Sequence, residues 1–314
     1  MNQAILAGPR RTVLQLHRRA LWAALALFGA AAVTLVVLRL RVDTLDTTGP
    51  CRGGTGCNDA IQGLVQAHEW LRTGLDQVAT GVLLLPLAIA AFAAGPLIAR
   101  ELETGTYRLA WTQSVTPAGW LAAKLLLPAV VVTAGTAVLV AAFRWSRPPT
   151  TGNGAGMLWD SPVYASMGVT TFAYGLLALA VGALTGLLVR RTVVAMSLAG
   201  LATGGLMLLV TTLRPHLWPV ATRSAPGDEQ DLWILQQGKL TASGERLFWE
   251  DCYNISGPQT PEQCMSARGA VGDFHDVHPS SHFWPLQLVE TGIVLALAAA
   301  AVAAAFWLLR RRHG

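Results

Sequence analysis

The chain has 314 residues, 53% of them hydrophobic and only 13% charged, with a formal net charge of +5 and a mean hydropathy of +0.44. Soluble globular domains carry about 25% charged residues, so half that share, with the apolar residues gathered in long blocks, excludes an ordinary soluble protein. The surplus of basic residues, 23 against 18 acidic, raises nucleic-acid binding as a reading, and their positions along the chain argue against it.

A bilayer core of ~30 Å needs ~20 apolar residues at a helical rise of 1.5 Å each, and six stretches qualify. The first covers residues 20–38. Arg10, Arg11, Arg18 and Arg19 precede it, as in a signal peptide. Its apolar run exceeds the roughly 7–15 residues of a signal h-region, and Arg39 and Arg41 follow directly, which favours an uncleaved anchor. An outer segment, 39–77, carries Cys51 and Cys57. The second span, 78–99, holds Pro86 and Pro96, which neighbouring helices can accommodate in a membrane. An inner loop, 100–120, leads to the third span, 121–143, with Pro128. A short outer segment, 144–162, precedes the fourth span, 163–189. Arg190 and Arg191 then turn the chain into the fifth, 193–213. The last outer segment, 214–285, is too long for a bare connection and is expected to form a small cap over the helices, before the sixth span, 286–309.

Placing both termini inside puts 12 basic residues and only Glu101 and Glu103 as acids on the inner side. Basic residues in short loops set topology, so both ends are predicted to be cytoplasmic. The positive charge then faces anionic lipid rather than nucleic acid. Cys51, Cys57, Cys252 and Cys264 all fall outside, where disulfides persist. Pairing within each loop, Cys51–Cys57 and Cys252–Cys264, is the simplest of the three possible connectivities. The fold class predicted is thus an all-α, six-helix polytopic membrane protein with a small disulfide-containing outer cap, forming one domain over 1–314.

The inner loop is the most informative segment. It runs from Arg100 through Glu101, Glu103, Gly105, Thr106, Tyr107, Arg108, Trp111, Thr112, Gln113 and Ser114 to Trp120 and Lys124. Gly105 interrupts the helix leaving the membrane, and Thr106 could cap a short helix from Tyr107 to about Ser114. Such a helix suits docking of a cytosolic partner. An amphipathic loop lying on headgroups fits the same pattern equally well.

Within the spans, Gly182/Gly186 and Gly200/Gly204 place small residues on one helical face, a pattern that lets helix backbones approach closely. The hydroxyls of Thr170, Thr171, Tyr174, Thr185, Ser197 and Thr203 either pack the bundle or line a translocation path. No ionisable residue lies deep in a span. Glu290 and Asp76 sit near outer ends where water is expected, which argues against a proton relay. Outside, His275, His278 and His282 form a histidine cluster whose spacing matches no zinc pattern, and a solvated loop is the simpler reading. A Walker A motif needs Gly-Lys followed by Ser or Thr. The two lysines, Lys124 and Lys239, are followed by Leu125 and Leu240, so no cofactor, metal or catalytic residue is assigned to this chain.

The run from Glu101 to Ser114, with the later Trp120 and Lys124, resembles the inner-loop signature of ABC-2 type transporter permeases from actinobacteria. Pro117, Ala118 and Gly119 depart from that pattern where relatives often carry basic residues. The resemblance implies a plasma-membrane permease subunit, not itself an enzyme, working as a homo- or heterodimer in membrane lipid. It implies that a separate cytosolic ATPase binds the ATP and engages Glu101, Glu103, Gly105, Thr106, Tyr107, Arg108, Trp111, Thr112, Gln113 and Ser114. Export of amphipathic compounds, drugs or lipids is the expected activity. The alternative is a membrane-anchored sensor or regulatory scaffold with a ligand-binding outer cap.

Overall fold

A computed structural model describes residues 7–45, 51, 56–107, 116–147, 158–225, 232–253 and 260–313. Among the described residues, six helices are long and apolar enough to cross a membrane: Trp22–Thr44, Cys57–Thr104, Pro117–Ser146, Thr170–Val189, Thr192–His216 and Ser280–Arg311. The first belongs to α1 (Ala7–Thr44).

The second is the longest, at 48 residues, and starts at Cys57 rather than near Val78. Ala67, Leu71, Leu75, Ala79 and Val82 are buried at helical spacing, while Glu69, Arg72 and Asp76 face outward. This amphipathic stripe continues the helix through what composition alone assigns to an outer segment. The helix has three parts: α2 (Cys57–Ala88), a π-helical stretch (Ile89–Ala94) and α3 (Gly95–Thr104). The wide turn shows in the Gly95 N–H, which donates to Ala90 O, five residues back. Pro96 follows immediately, with no N–H to give and a ring that crowds the preceding turn. The π stretch is where the helix absorbs that mismatch.

The third span is α4 (Pro117–Ser146). The predicted fourth span divides into α5 (Ser161–Met167) and α6 (Thr170–Val189). Between them, Gly168 leaves no room for a side chain: a Cβ there would fall 2.1 Å from Gln287 Cδ. A turn through Arg190 and Arg191 leads to α7 (Thr192–Leu213) and a 3₁₀ turn at Arg214–His216. The last span is α10 (Phe283–His313). The α6 helix is the axis of the bundle, with 67% of its span buried, against 17% to 44% for the other five.

Helix directions alternate, so the connections gather at two ends. At one end Leu35, Val42, Leu71, Leu75, Phe143 and Val163 pack together. At the other, Ile98, Trp120, Leu121, Leu187, Ala305 and Leu309 do so. We call these the cap end and the elbow end.

The all-α expectation needs one amendment, since the segment between α7 and α10 holds an antiparallel sheet. Its strands are β1 (Ala221–Arg223), β2 (Trp233–Thr241), β3 (Arg246–Phe248) and β4 (Ala270–His278), in the order β1-β4-β2-β3. Two short helices, α8 (Glu250–Tyr253) and α9 (Pro261–Ala267), lie between β3 and β4. Backbone groups away from helical partners must still be paired, and the long β2–β4 ladder, running from Trp233↔His278 to Thr241↔Ala270, does this for the cap. The cysteines are bonded as Cys51–Cys57 and Cys252–Cys264. The second bond ties α8 to α9 beside buried Leu247 and Met265.

The cap is joined to the bundle by aromatic stacking of Trp159 on Trp233, centroids 5.4 Å apart, and by His278. His278 is fully buried rather than solvated. Its Nε2 donates to the Pro215 carbonyl at 2.9 Å, and its Nδ1 lies 3.0 Å from His282 Nδ1. His275, three residues earlier on the strand, faces the opposite side of β4. The three imidazoles therefore do not converge, and among the described residues no three His, Cys, Asp or Glu groups could hold a metal.

Candidate functional site: the elbow between the second and third spans

The elbow begins where α3 ends. Gly105 closes that helix in the left-handed region, at φ 74°, a conformation that only glycine adopts without strain. The Thr104 hydroxyl donates to Arg100 O at 2.8 Å, and the Thr106 hydroxyl lies 3.5 Å from Glu101 O. The Thr106 hydroxyl thus turns back onto α3. Arg108, Trp111, Thr112, Gln113, Ser114 and the short helix predicted over Tyr107–Ser114 lie outside the described residues, apart from Tyr107 itself. Tyr107 packs against the buried cluster of Ile98, Trp120 and Leu309.

The chain re-enters the bundle at Thr116, whose Oγ1 accepts the Gly119 N–H at 3.1 Å and caps α4. Pro117 follows at the first helical position, where a missing N–H costs nothing. The Pro117-Ala118-Gly119 departure from the familial pattern is therefore a helix start.

Both elbow glutamates are bonded to other spans, Glu101 half-buried and Glu103 exposed. Glu101 accepts the Trp120 indole N–H through Oε2 at 3.0 Å and pairs through Oε1 with Lys124 Nζ. Lys124 is 5% exposed, so its ammonium is out of water and depends on that carboxylate. Glu103 reaches the start of α7: its Oε2 accepts the Thr192 backbone N–H at 2.9 Å and the Thr192 hydroxyl at 2.5 Å. Arg191, the residue before α7, offers no capping side chain. A carboxylate from another helix satisfies the orphan N–H and sits where the helix dipole favours negative charge. The elbow is thereby clasped to the third span by Glu101 and to the fifth by Glu103.

The hydroxyls proposed for a translocation path do not share one surface. Thr170, Thr171 and Tyr174 are buried near the cap end of α6, and Thr203 is buried in α7. The Thr171 hydroxyl donates to Ala165 O at 2.6 Å. Thr185 donates to carbonyls of its own helix at Val181 and Gly182, and exposed Ser197 to Val193 O.

Tyr174 belongs to a cluster that span-by-span reading misses. Glu290 is fully buried, not at a wet helix end, and Arg214 is 4% exposed. Arg214 Nε and Nη2 donate to the two Glu290 oxygens at 2.8 and 3.0 Å, and the Tyr174 hydroxyl donates to Oε1 at 2.8 Å. The guanidinium lies 4.0 Å from the centre of the Tyr164 ring. One turn away, Gln287 accepts the Val169 and Thr170 N–H groups and donates to Tyr164 O, all within 3.1 Å. The 3₁₀ turn after α7 folds Arg214 back into the bundle, and this is what takes Glu290 out of water. Each charge alone reads as interfacial; the signal was the pair of opposite lone charges at the cap ends of successive spans.

A jointed second span, clasped at its elbow to two others within a six-helix bundle, defines a multi-pass membrane protein. A family model described as ABC-2 membrane transporter related matches residues 23–214, and the chain belongs to that family. It is an ABC-2 type permease. The match takes in the first five spans and the elbow, ending at Arg214 before the sheet. No match was found among curated proteins or among solved structures.

Proposed function

We propose that this chain is the membrane-spanning half of a plasma-membrane exporter, with both termini cytoplasmic. A separate ABC ATPase binds and hydrolyses ATP against the elbow between the second and third spans. The working unit is two permeases, identical or paired with a close relative, and two ATPases. The observation that carries this reading is the elbow: a helix stopped at Gly105, next to segment 108–115, with its base held to the third and fifth spans. A force applied there cannot move α3 alone.

The cargo class proposed is amphipathic compounds, drugs or lipids. Lys124 is neutralised by Glu101 and Arg214 by Glu290, which leaves those buried charges spoken for rather than free to select an ion. The path runs beside α6 and α7, where, of the six hydroxyls named for it, Thr185 and Ser197 are not buried inside the bundle.

Co-expression with the ATPase encoded beside it, followed by purification through a tag on the permease, tests the reading. A stoichiometric ATPase is the expected result, and its absence would refute it. Gly105→Val should leave membrane insertion intact while uncoupling hydrolysis from transport. Among the described residues a Cβ at Gly105 meets nothing within 4 Å, so the cost lies first in the left-handed backbone, roughly 1–2 kcal/mol. Normal coupling in that variant would show that the joint does not need this geometry.

A further inference from the structure

We infer that Glu101 and Glu103 are positioning residues, which pass movement of the elbow into the third and fifth spans rather than touching the ATPase themselves. The inference rests on the permease reading above and assigns the two acids of the elbow a task opposite to that of a docking contact. An acid already bonded to a neighbouring span gives up those bonds if it is to recruit a partner. Here Glu101 is committed to Trp120 and Lys124, and Glu103, although exposed, holds both donors of Thr192 through its Oε2. The two residues are two positions apart on one short helix, and they diverge to different neighbours, α4 and α7. The remaining contacts complete the clasp. Leu102 and Tyr107 pack against a cluster that includes Leu187 of α6 and Leu309 of α10, so apolar packing joins the elbow to the fourth and sixth spans while ionic and hydrogen-bonded contact reaches the third and fifth.

The two kinds of contact differ in what they transmit. Apolar contact is non-directional and sets no fixed axis of pull between two helices. A charge-assisted hydrogen bond at 2.5–3.0 Å is short and directional. The elbow is therefore packed against α6 and α10 but coupled in a fixed direction to α4 and α7. Glu103 is attached to the first residue of α7, so a displacement of α3 acts along that helix from its end, where a backbone N–H and a side-chain hydroxyl move as one unit.

Because the described cysteines are all disulfide-bonded, paired spin labels can be placed on exposed Leu126→Cys in α4 and Leu201→Cys in α7 of the full chain in complex with its ATPase. The distance between them is measured without nucleotide and with ATP plus vanadate. The double-labelled protein should show a nucleotide-dependent shift. Glu103→Ala and Thr192→Val should each lose that shift, their combination should lose no more than either alone, and Thr192→Ser should keep it. All should retain the same amount of bound ATPase. ATPase lost from Glu103→Ala but kept by Thr192→Val would overturn the inference in favour of direct contact, as would a full shift in Thr192→Val. If the parent itself carries no ATPase or shows no shift, the permease reading falls first and the inference with it.

Discussion

Replacing Glu290 by alanine is expected to destabilise the folded protein by about 3–5 kcal/mol, the usual consequence of removing one member of a buried ion pair. The carboxylate serves four groups: two guanidinium nitrogens, the Tyr174 hydroxyl and, through Arg214, the face of Tyr164. Without it, Arg214 is left charged and 4% exposed, with no water to replace the lost partner. Arg214→Ala should be comparably harmful for the mirror reason. The informative variant is the double one, Arg214→Met with Glu290→Leu, which removes both charges and refills the volume. It should be less destabilised than either single variant, because most of the penalty lies in the charge left behind. Tyr174→Phe removes one hydrogen bond and should cost about 1 kcal/mol. Thermal unfolding of detergent-purified protein separates these. A double variant as unstable as the sum of the two singles would mean that the two side chains act independently, with no coupling between their charges.

How much of this was legible in the sequence depended on the range of the interaction. The spans were readable because each is encoded locally by a long apolar run. The start of the second helix at Cys57 was missed because an amphipathic stretch carries Glu69, Arg72 and Asp76 on its exposed face and so lowers the average hydropathy. The sheet was harder still. Along β2 the burial alternates only over its first residues and then breaks down, so no clean period of two marks the strand. Glu101 and Lys124 stand at facing ends of consecutive antiparallel spans, and their pairing could be anticipated. Glu103 and Thr192 are 89 positions apart and Arg214 and Glu290 are 76 apart; both meetings depend on which spans become neighbours, which a single sequence does not encode locally. The same holds for His278, which reads as a loop histidine until the sheet places it against Pro215.

The second large effect separates two glycine pairs that look alike in sequence. Gly182→Val should prevent normal packing of the bundle, whereas Gly200→Ala should be close to neutral. A Cβ at Gly182 would lie 2.3 Å from Ala94 Cβ and 2.9 Å from the backbone at Ala94 and Gly95. These atoms belong to the π stretch and its junction with α3, so no side-chain rotation relieves the clash and a helix must move. Overpacking of this kind costs about 1–3 kcal/mol even where neighbours can adjust. Gly186 is similarly constrained, with Ile98 Cβ at 3.0 Å and Ala99 N at 3.1 Å. Around Gly200, by contrast, the nearest atom is Ala91 Cβ at 3.5 Å, an ordinary contact, and at Gly204 it is the movable end of Leu87 at 3.0 Å. Both pairs face the second span, but only the α6 pair brings backbone against backbone, the arrangement in which small residues matter most in membranes. Monodisperse yield in detergent and retention of bound ATPase should fall sharply for Gly182→Val, fall measurably for Gly182→Ala, and stay at the parental level for Gly200→Ala. Equal damage from Gly182→Ala and Gly200→Ala would show that α6 does not hold the jointed helix at its π stretch. The elbow would then lose the fixed axis against which α3 has to turn.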